Sequence, residues 1–252
     1  NGFNLFGNDP SGLYNRSGAK MVAWTFRKAP RFFDIVTYTG DGVAGRTVNH
    51  ALGVEPGMII VKRTDSTGDW YVCHIGVNGS YPSSANNFMK LNSTDPKAGA
   101  PAVWDAPPTS TDFTVQPSTT NVSSATYVAY LFAHDDSDES MIKCGSYAAT
   151  MTTPLTVSLG WEPQWILIKA ADGTGDWLMF DAMRGIVTGG DDRYLLANGT
   201  NAEAGGANFL SVNPDGFSID LVNAGINGGG VGSKYIYMAI RRPNKPAEEF
   251  EP

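Results

Sequence analysis

A sequence repeat constrains the fold of this chain more than any other feature does. Residues 53–70 read GVEPGMIIVKRTDSTGDW and return as residues 160–177, GWEPQWILIKAADGTGDW, with ten of the eighteen positions identical. The offset between the copies is 160 − 53 = 107 residues. Self-similarity at a fixed period indicates that one structural unit is used more than once.

Each copy has the pattern of a β-hairpin. A Glu-Pro turn leads into an apolar run, Met58–Val61 in the first copy and Trp165–Ile168 in the second. A polar Gly-Asp loop follows, and Trp70 or Trp177 begins the next strand. Apolar, β-branched runs bounded by turn residues are typical of paired strands.

The rest of each repeat also consists of short apolar runs between Gly, Asn and Asp turns. Predicted opening strands cover 34–38 and 141–147, and predicted closing strands cover 126–133 and 235–240. Such spacing is typical of sandwiches and barrels. We therefore predict an all-β fold of tandem antiparallel β-sandwich (jelly-roll-like) repeats of about 107 residues.

The repeat arithmetic also predicts the domain organisation. Residues 2–27 align with 216–241 at an offset of 216 − 2 = 214 residues, which is twice 107. We expect the chain to be the C-terminal part of a longer polypeptide. Its predicted parts are the second half of a preceding repeat, two complete repeats and a tail or linker, at residues 1–28, 29–136, 137–244 and 245–252.

Composition excludes several classes of partner. The net charge is −7 and the pI is near 4.9, which disfavours binding to nucleic acid or to an anionic membrane surface. No apolar run approaches the roughly 18 residues that span a bilayer, so we expect no membrane insertion. Cys73 and Cys144 are too few for a disulfide framework or a zinc site, although a single bridge between them is an open alternative.

The sequence contains no recognisable catalytic motif. His50, His74 and His134 are isolated, and the signatures of serine hydrolases, zinc hydrolases and kinases are absent. We expect neither an enzyme nor a bound cofactor. Paired carboxylates for glycoside hydrolysis stay an alternative, because such pairs form only in the folded chain.

The hairpin loops carry acidic residues with the spacing of a calcium loop. Two positions in each copy are acidic: Asp65, Asp69, Asp172 and Asp176. However, Trp occupies the position after the second Asp, where a calcium loop has Gly, and no bidentate Glu follows. We therefore favour a hairpin loop whose polar side chains bind local backbone groups, and predict no metal site.

Tryptophans that differ between the copies are candidates for ligand binding. Exposed indole rings stack on sugar faces, whereas repeated Trp residues such as Trp70 and Trp177 are better explained by packing. The candidates present in one copy only are Trp104, Trp161 and Trp165.

Four segments carry a resemblance to a known family. They are WTFRKAPRFFDIVTYTG, KRTDSTGDW, YVAYLFAHD and LGWEPQWILIK. The chain resembles a tandem-repeat, β-rich module of tailed-bacteriophage structural proteins, found in fibre-like and tail-associated chains. The resemblance implies a virion component and carries over no catalytic residue.

The expected function is therefore that of a bacteriophage structural protein, the distal part of a tail or capsid fibre with host-surface binding. Its loops at 75–110 and 181–213 would contact a host-surface glycan or protein. Expected partners are other virion proteins and further copies of the chain, as a homotrimer, on the extracellular face of the particle. Two alternatives are a capsid or tail decoration or spacer protein without ligand, and a glycan-binding accessory module of a phage depolymerase.

Overall fold

The chain folds into β-strands joined by short turns. The computed structural model describes residue 3 and residues 17–77, 87–99 and 103–242. The first unit contains β1 (Phe33–Thr39), β2 (Arg46–Asn49), β3 (Pro56–Arg63), β4 (Trp70–His74), β5 (Asn87–Lys90), β6 (Ala98–Gly99), β7 (Asp112–Val115) and β8 (Thr126–Ala133). The second unit contains β9 (Ile142–Ala148), β10 (Leu155–Ser158), β11 (Pro163–Ala170), β12 (Leu178–Asp181), β13 (Tyr194–Leu196), β14 (Leu210–Asn213), β15 (Gly216–Ile219) and β16 (Lys234–Arg241).

The fold class is all-β and antiparallel, as the sequence predicts. The only helical element among the described residues is a short 3₁₀ turn at Ile75–Val77. Residues 17–77, 87–99 and 103–242 contain no helix that is long and apolar enough to cross a membrane.

The large sheets of the two units share one strand order. In the first unit the order is β1-β8-β3-β4-β5-β6, and in the second it is β13-β12-β11-β16-β9. Read from its other edge, the second order is β9-β16-β11-β12-β13, which matches the first five strands of the first unit. Within the described residues, the second unit has no strand that corresponds to β6. Small sheets complete the units, β2-β7 in the first and β10-β15-β14 in the second. Each closing strand, β8 or β16, lies inside its large sheet between the opening strand and the first hairpin strand.

The two predicted hairpins form with the same register. Met58 pairs with His74, and Trp165 pairs with Asp181, so both members of the pair are displaced by 107 residues. A β-bulge also recurs, between Pro56 and Met58 and again after Pro163. The predicted domain boundaries stay a prediction, and most of residues 1–28 and all of 245–252 lie outside the described residues.

Each large sheet packs one face on its own small sheet. In the second unit the ring of Tyr237 on β16 lies 5.7 Å from that of Phe217 on β15, and in the first unit Tyr38 lies 6.4 Å from Phe113. Burying aromatic and aliphatic side chains between two sheets is the main stabilising contribution in a sandwich.

The other face of the second unit's large sheet packs against the first unit. Alternate residues of β11 belong to different cores, because successive side chains of a strand point to opposite faces. Ile166 and Ile168 join the second unit's own core, whereas Trp165 and Leu167 join a core that also contains Met58 of the first unit. The second unit's large sheet is therefore buried on both faces.

His74 lies at the contact between the units. Its Nδ1 accepts a hydrogen bond from the backbone N–H of Gly76 (3.0 Å), so its Nε2 carries the proton and donates to the carbonyl of Tyr237 in the second unit (3.1 Å). Complete burial lowers the pKa of His74 to about 3.

This buried imidazole predicts an acid-sensitive stability. The unfolded chain binds a proton at His74 below about pH 6.5 while the folded chain does not, so stability falls as the pH decreases from 6.5 towards 3. Between pH 6.5 and pH 5 this group should cost about 2 kcal/mol. Urea unfolding of the wild type and of His74→Gln at both pH values measures the difference in pH dependence. Equal pH dependence in the two proteins would contradict the assignment.

Candidate functional site

The hairpin of the second unit has a face that the first unit covers. Trp177 is 1% exposed, and its ring Nε1–H donates to the carbonyl of Lys90 at 2.9 Å. Lys169 is fully buried, and its ammonium donates to the carbonyl of Thr94 at 3.2 Å. The backbone N–H of Gly175 donates to the same carbonyl at 3.0 Å. We call Lys169, Gly175 and Trp177 the covered face.

The covered face holds its partner by hydrogen bonds to backbone carbonyls and by one ion pair. Burial lowers the pKa of Lys169 to about 8. At the edge of the contact, Lys97 pairs with Asp172 at 2.6 Å and its backbone N–H donates to the carbonyl of Ala171. Hydrogen bonds to main-chain carbonyls depend on the backbone conformation of the bound loop and little on its side chains.

The equivalent face of the first unit is open. It comprises Lys62, Gly68, Trp70 and the neighbouring Tyr130, and we call it the Trp70 face. The Trp70 and Tyr130 rings stack at 6.2 Å and 21°, and the Lys62 ammonium lies 6.0 Å from the Trp70 ring centroid. Both rings are half-buried, beside an open groove of about 550 Å³ lined by the hairpin loop.

A second groove, of about 970 Å³, lies between residues 20–26 and the second unit. We call it the Trp24 groove. The Nε1–H of Trp24 donates to Asp181 at 3.3 Å, and the Arg184 guanidinium lies 5.3 Å from the Trp24 ring centroid. Arg184 forms ion pairs with Asp181 (2.5 Å) and with Glu203 (3.5 Å). The groove thus combines an aromatic ring with charged groups that already bind one another.

The structure does not bring the three predicted ligand-binding tryptophans together. Trp104 lies in the first unit's core and Trp161 in the second unit's core, 5% and 4% exposed. This burial corrects the expectation that these two rings stack on a sugar, because neither presents an open face. Trp165 is also buried, but it lines the Trp24 groove, and its ring lies 6.2 Å from that of Phe26.

The four acidic residues of the hairpin loops bind protein groups. Asp65 pairs with Arg63 (2.6 Å), and Asp69 pairs with Lys90 (2.7 Å). Asp172 pairs with Lys97, and Asp176 accepts a hydrogen bond from the Asn198 amide at 2.7 Å. No group of three or more His, Cys, Asp or Glu that could hold a metal ion occurs in the described part of the chain. These contacts favour the hairpin-loop interpretation over the calcium loop.

The two cysteines do not form the disulfide bridge that the sequence left open. Both are buried, Cys73 on β4 and Cys144 on β9. Burial raises the pKa of the Cys144 thiol far above its usual range. A thiol that stays protonated and inaccessible is not a nucleophile.

Sequence reasoning explained Trp177 by packing, which its burial confirms, but it missed Trp24, Arg184 and Lys169. Trp24 had a signal, since it aligns with Met238 of β16 and so falls within a strand pattern. Arg184 and Lys169 had none, because each acquires its role from a contact far away in sequence.

Comparison with known proteins places the chain in one family. No curated protein and no solved structure matches it. A family model described as "Domain of unknown function (DUF7483)" matches residues 29–243, which is most of the chain. The region matched spans both units and the contact between them. The chain therefore belongs to the DUF7483 family.

Proposed function

We propose that this chain is a structural component of a bacteriophage particle, a rigid spacer in a tail or capsid fibre on the particle's outer face. The observation that carries the proposal is the burial of the second unit's large sheet on both faces. Sandwiches joined through a common core transmit force as one body, whereas domains on a flexible linker do not. The resemblance to phage structural proteins supports the same role.

The loops favour a spacer over a receptor-binding tip. No aromatic side chain in the described parts of 75–110 and 181–213 is exposed, and the large exposed apolar residues there are Met183 and Val187. Glycan-binding and protein-binding loops usually present exposed aromatic rings. In the spacer role the partners are other virion proteins and further copies of this chain.

Host-surface glycan binding is the second candidate, and the Trp24 groove favours it. The Trp165 indole Nε1–H is buried and has no hydrogen-bond partner among the described residues, and its ring lines this groove. Trp24, Asn201 and Glu203 line the same groove, which gives a stacking ring beside polar groups. Such a combination suits a sugar ring with its hydroxyl groups.

A depolymerase role has less support. Cleavage of a glycosidic bond needs two carboxylates about 5–10 Å apart with oxygens free to act. In the Trp24 groove Asp181 already accepts hydrogen bonds from Trp24, from the Arg184 backbone and from the Arg184 side chain. We therefore propose no catalytic role for this groove.

Antibody labelling of intact particles, imaged by electron microscopy, tests the virion proposal. We expect label along a fibre shaft or over the capsid for a spacer, and label at fibre tips for a host-binding protein. Particles that carry no label while the antibody detects the purified chain would overturn the virion assignment.

Glycan binding has its own test on the purified chain. If the Trp24 groove binds a glycan, an array of bacterial surface glycans should retain the wild type, and Trp24→Ala should weaken retention at least tenfold. Met151→Asn, which changes an exposed residue in the loop after β9, is the matched control. A wild type that binds no glycan, or equal retention of Trp24→Ala, would contradict this candidate.

A further inference from the structure

We propose that copies of this chain associate head to tail, with the Trp70 face of one copy receiving the loop at residues 197–200 of the next. The contact between the two units within one chain is the template. This inference does not depend on the virion proposal, because it rests on the geometry of the repeat alone.

The template is a loop lying on a face. In the first unit the chain leaves β5 through Lys90 and Thr94, and their backbone carbonyls meet the covered face of the second unit. Three donors hold this path: the indole N–H of Trp177, the ammonium of Lys169 and the backbone N–H of Gly175. These bonds lie in a partly buried contact, where an unpaired carbonyl would cost free energy.

The Trp70 face carries the same three donors. Lys62, Gly68 and Trp70 precede Lys169, Gly175 and Trp177 by 107 residues each. Gly68 is exposed, and Lys62 and Trp70 are half-buried, whereas Lys169 and Trp177 are buried. Each ammonium donates to a carbonyl near its own hairpin, Lys62 to Gly68 at 3.0 Å and Lys169 to Ala170 at 2.8 Å, but only Lys169 also reaches Thr94. One unit thus leaves open the donor set that the other unit uses.

The loop half of the contact is also repeated. Asn92 and Asn198 occupy matching places: the Asn92 side-chain carbonyl accepts from the backbone N–H of Trp70 (2.9 Å), and that of Asn198 accepts from Trp177 (2.8 Å). Each is followed two residues later by a threonine, Thr94 or Thr200. Thr94 is in contact with the covered face, whereas Thr200 is exposed.

A chain with an open face at one unit and an open loop at the other can join its copies in series. The two surfaces differ, so the contact is heterologous and generates open filaments or closed rings. Within one chain the loop of the first unit already lies on the covered face of the second unit. The Trp70 face and the loop at residues 197–200 therefore do not meet each other in that chain. A second copy is the occupant that supplies the matching loop.

The contact between copies should be weaker than the contact within the chain. Gly57 and Gly76 allow the first unit to approach Cys144 and Gly145 closely. The residues 107 positions later are Gln164 and Met183, whose side chains keep a second copy further away. Residues 20–26 also occupy part of this surface. We therefore expect the loop contact without the close sheet packing.

Sedimentation velocity over a wide concentration range tests the proposal on the full chain. We expect the weight-average sedimentation coefficient of the wild type to rise with concentration. Trp70→Ala removes the indole ring of the Trp70 face, and Thr200→Trp places a bulky side chain on the loop at residues 197–200. Each substitution should raise the dissociation constant for self-association at least tenfold. The control Met151→Asn, at an exposed residue outside both surfaces, should associate like the wild type.

Mixing the two defective variants gives the decisive result. Trp70→Ala keeps its loop and Thr200→Trp keeps its face, so an equimolar mixture should form one-to-one dimers and no longer species. Circular dichroism confirms that both variants are folded. A wild type that stays monomeric at every concentration would overturn the proposal. So would association that neither variant weakens, because the contact would then lie elsewhere.

Discussion

Replacing Trp177 with alanine is expected to lower the free energy of unfolding by about 3–5 kcal/mol. The side chain is 1% exposed and packs in the core that both units share. Its removal leaves a cavity and deletes the indole hydrogen bond to the carbonyl of Lys90. Urea unfolding at neutral pH, followed by circular dichroism, measures the change.

Trp70→Ala is the matched control for this prediction. Trp70 occupies the same position in the first unit, but it is half-buried at the edge of the core, where its ring stacks on Tyr130 beside the Lys62 ammonium. We expect a loss of about 1 kcal/mol. Equal losses for the two variants would mean that the contact between the units contributes nothing to stability.

Gly76→Ala is expected to destabilise the protein by about 2–3 kcal/mol through overpacking. A Cβ atom at this position would lie 2.5 Å from the carbonyl oxygen of Gly145 and 2.8 Å from its carbon. Backbone atoms of a paired strand cannot move aside as a flexible side chain can, so the two units must separate. Thermal unfolding should show a lower midpoint, and hydrogen exchange should increase along β9 and β4.

Gly68→Ala provides the control for this glycine. A Cβ atom there meets no heavy atom within 4 Å, and Gly68 is exposed. Its free energy of unfolding should stay within about 0.5 kcal/mol of the wild type. If Gly76→Ala were equally mild, the close approach of the units would not be needed for stability.

The strands of this fold could be predicted from sequence because their signals are local. The apolar run of β3, the polar loop after it and Trp70 specify one hairpin, and the second copy specifies another. The opening and closing strands followed from the same periodicity. The order of strands within the large sheets did not follow, since placing β8 between β1 and β3 depends on contacts far apart in sequence.

The candidate site was less predictable because it depends on which surfaces meet. Trp70 and Trp177 have nearly identical sequence surroundings, yet one is half-buried and the other is sealed by the loop after β5. Trp104 and Trp161 differ between the copies, which made them candidates for recognition, but each fills a core. Divergence between repeats therefore reflected packing at these two positions.

The place of β8 in its sheet sets the order in which a ribosome can complete the first unit. Phe33 on β1 pairs with Phe132 on β8, which is 132 − 33 = 99 residues later. Until β8 emerges, β1 and the apolar strand β3 have no neighbour between them and expose unpaired hydrogen-bonding edges to water. Long-range pairing of this kind slows folding and prolongs exposure to aggregation. Each large sheet can therefore close only after the last strand of its unit has been synthesised.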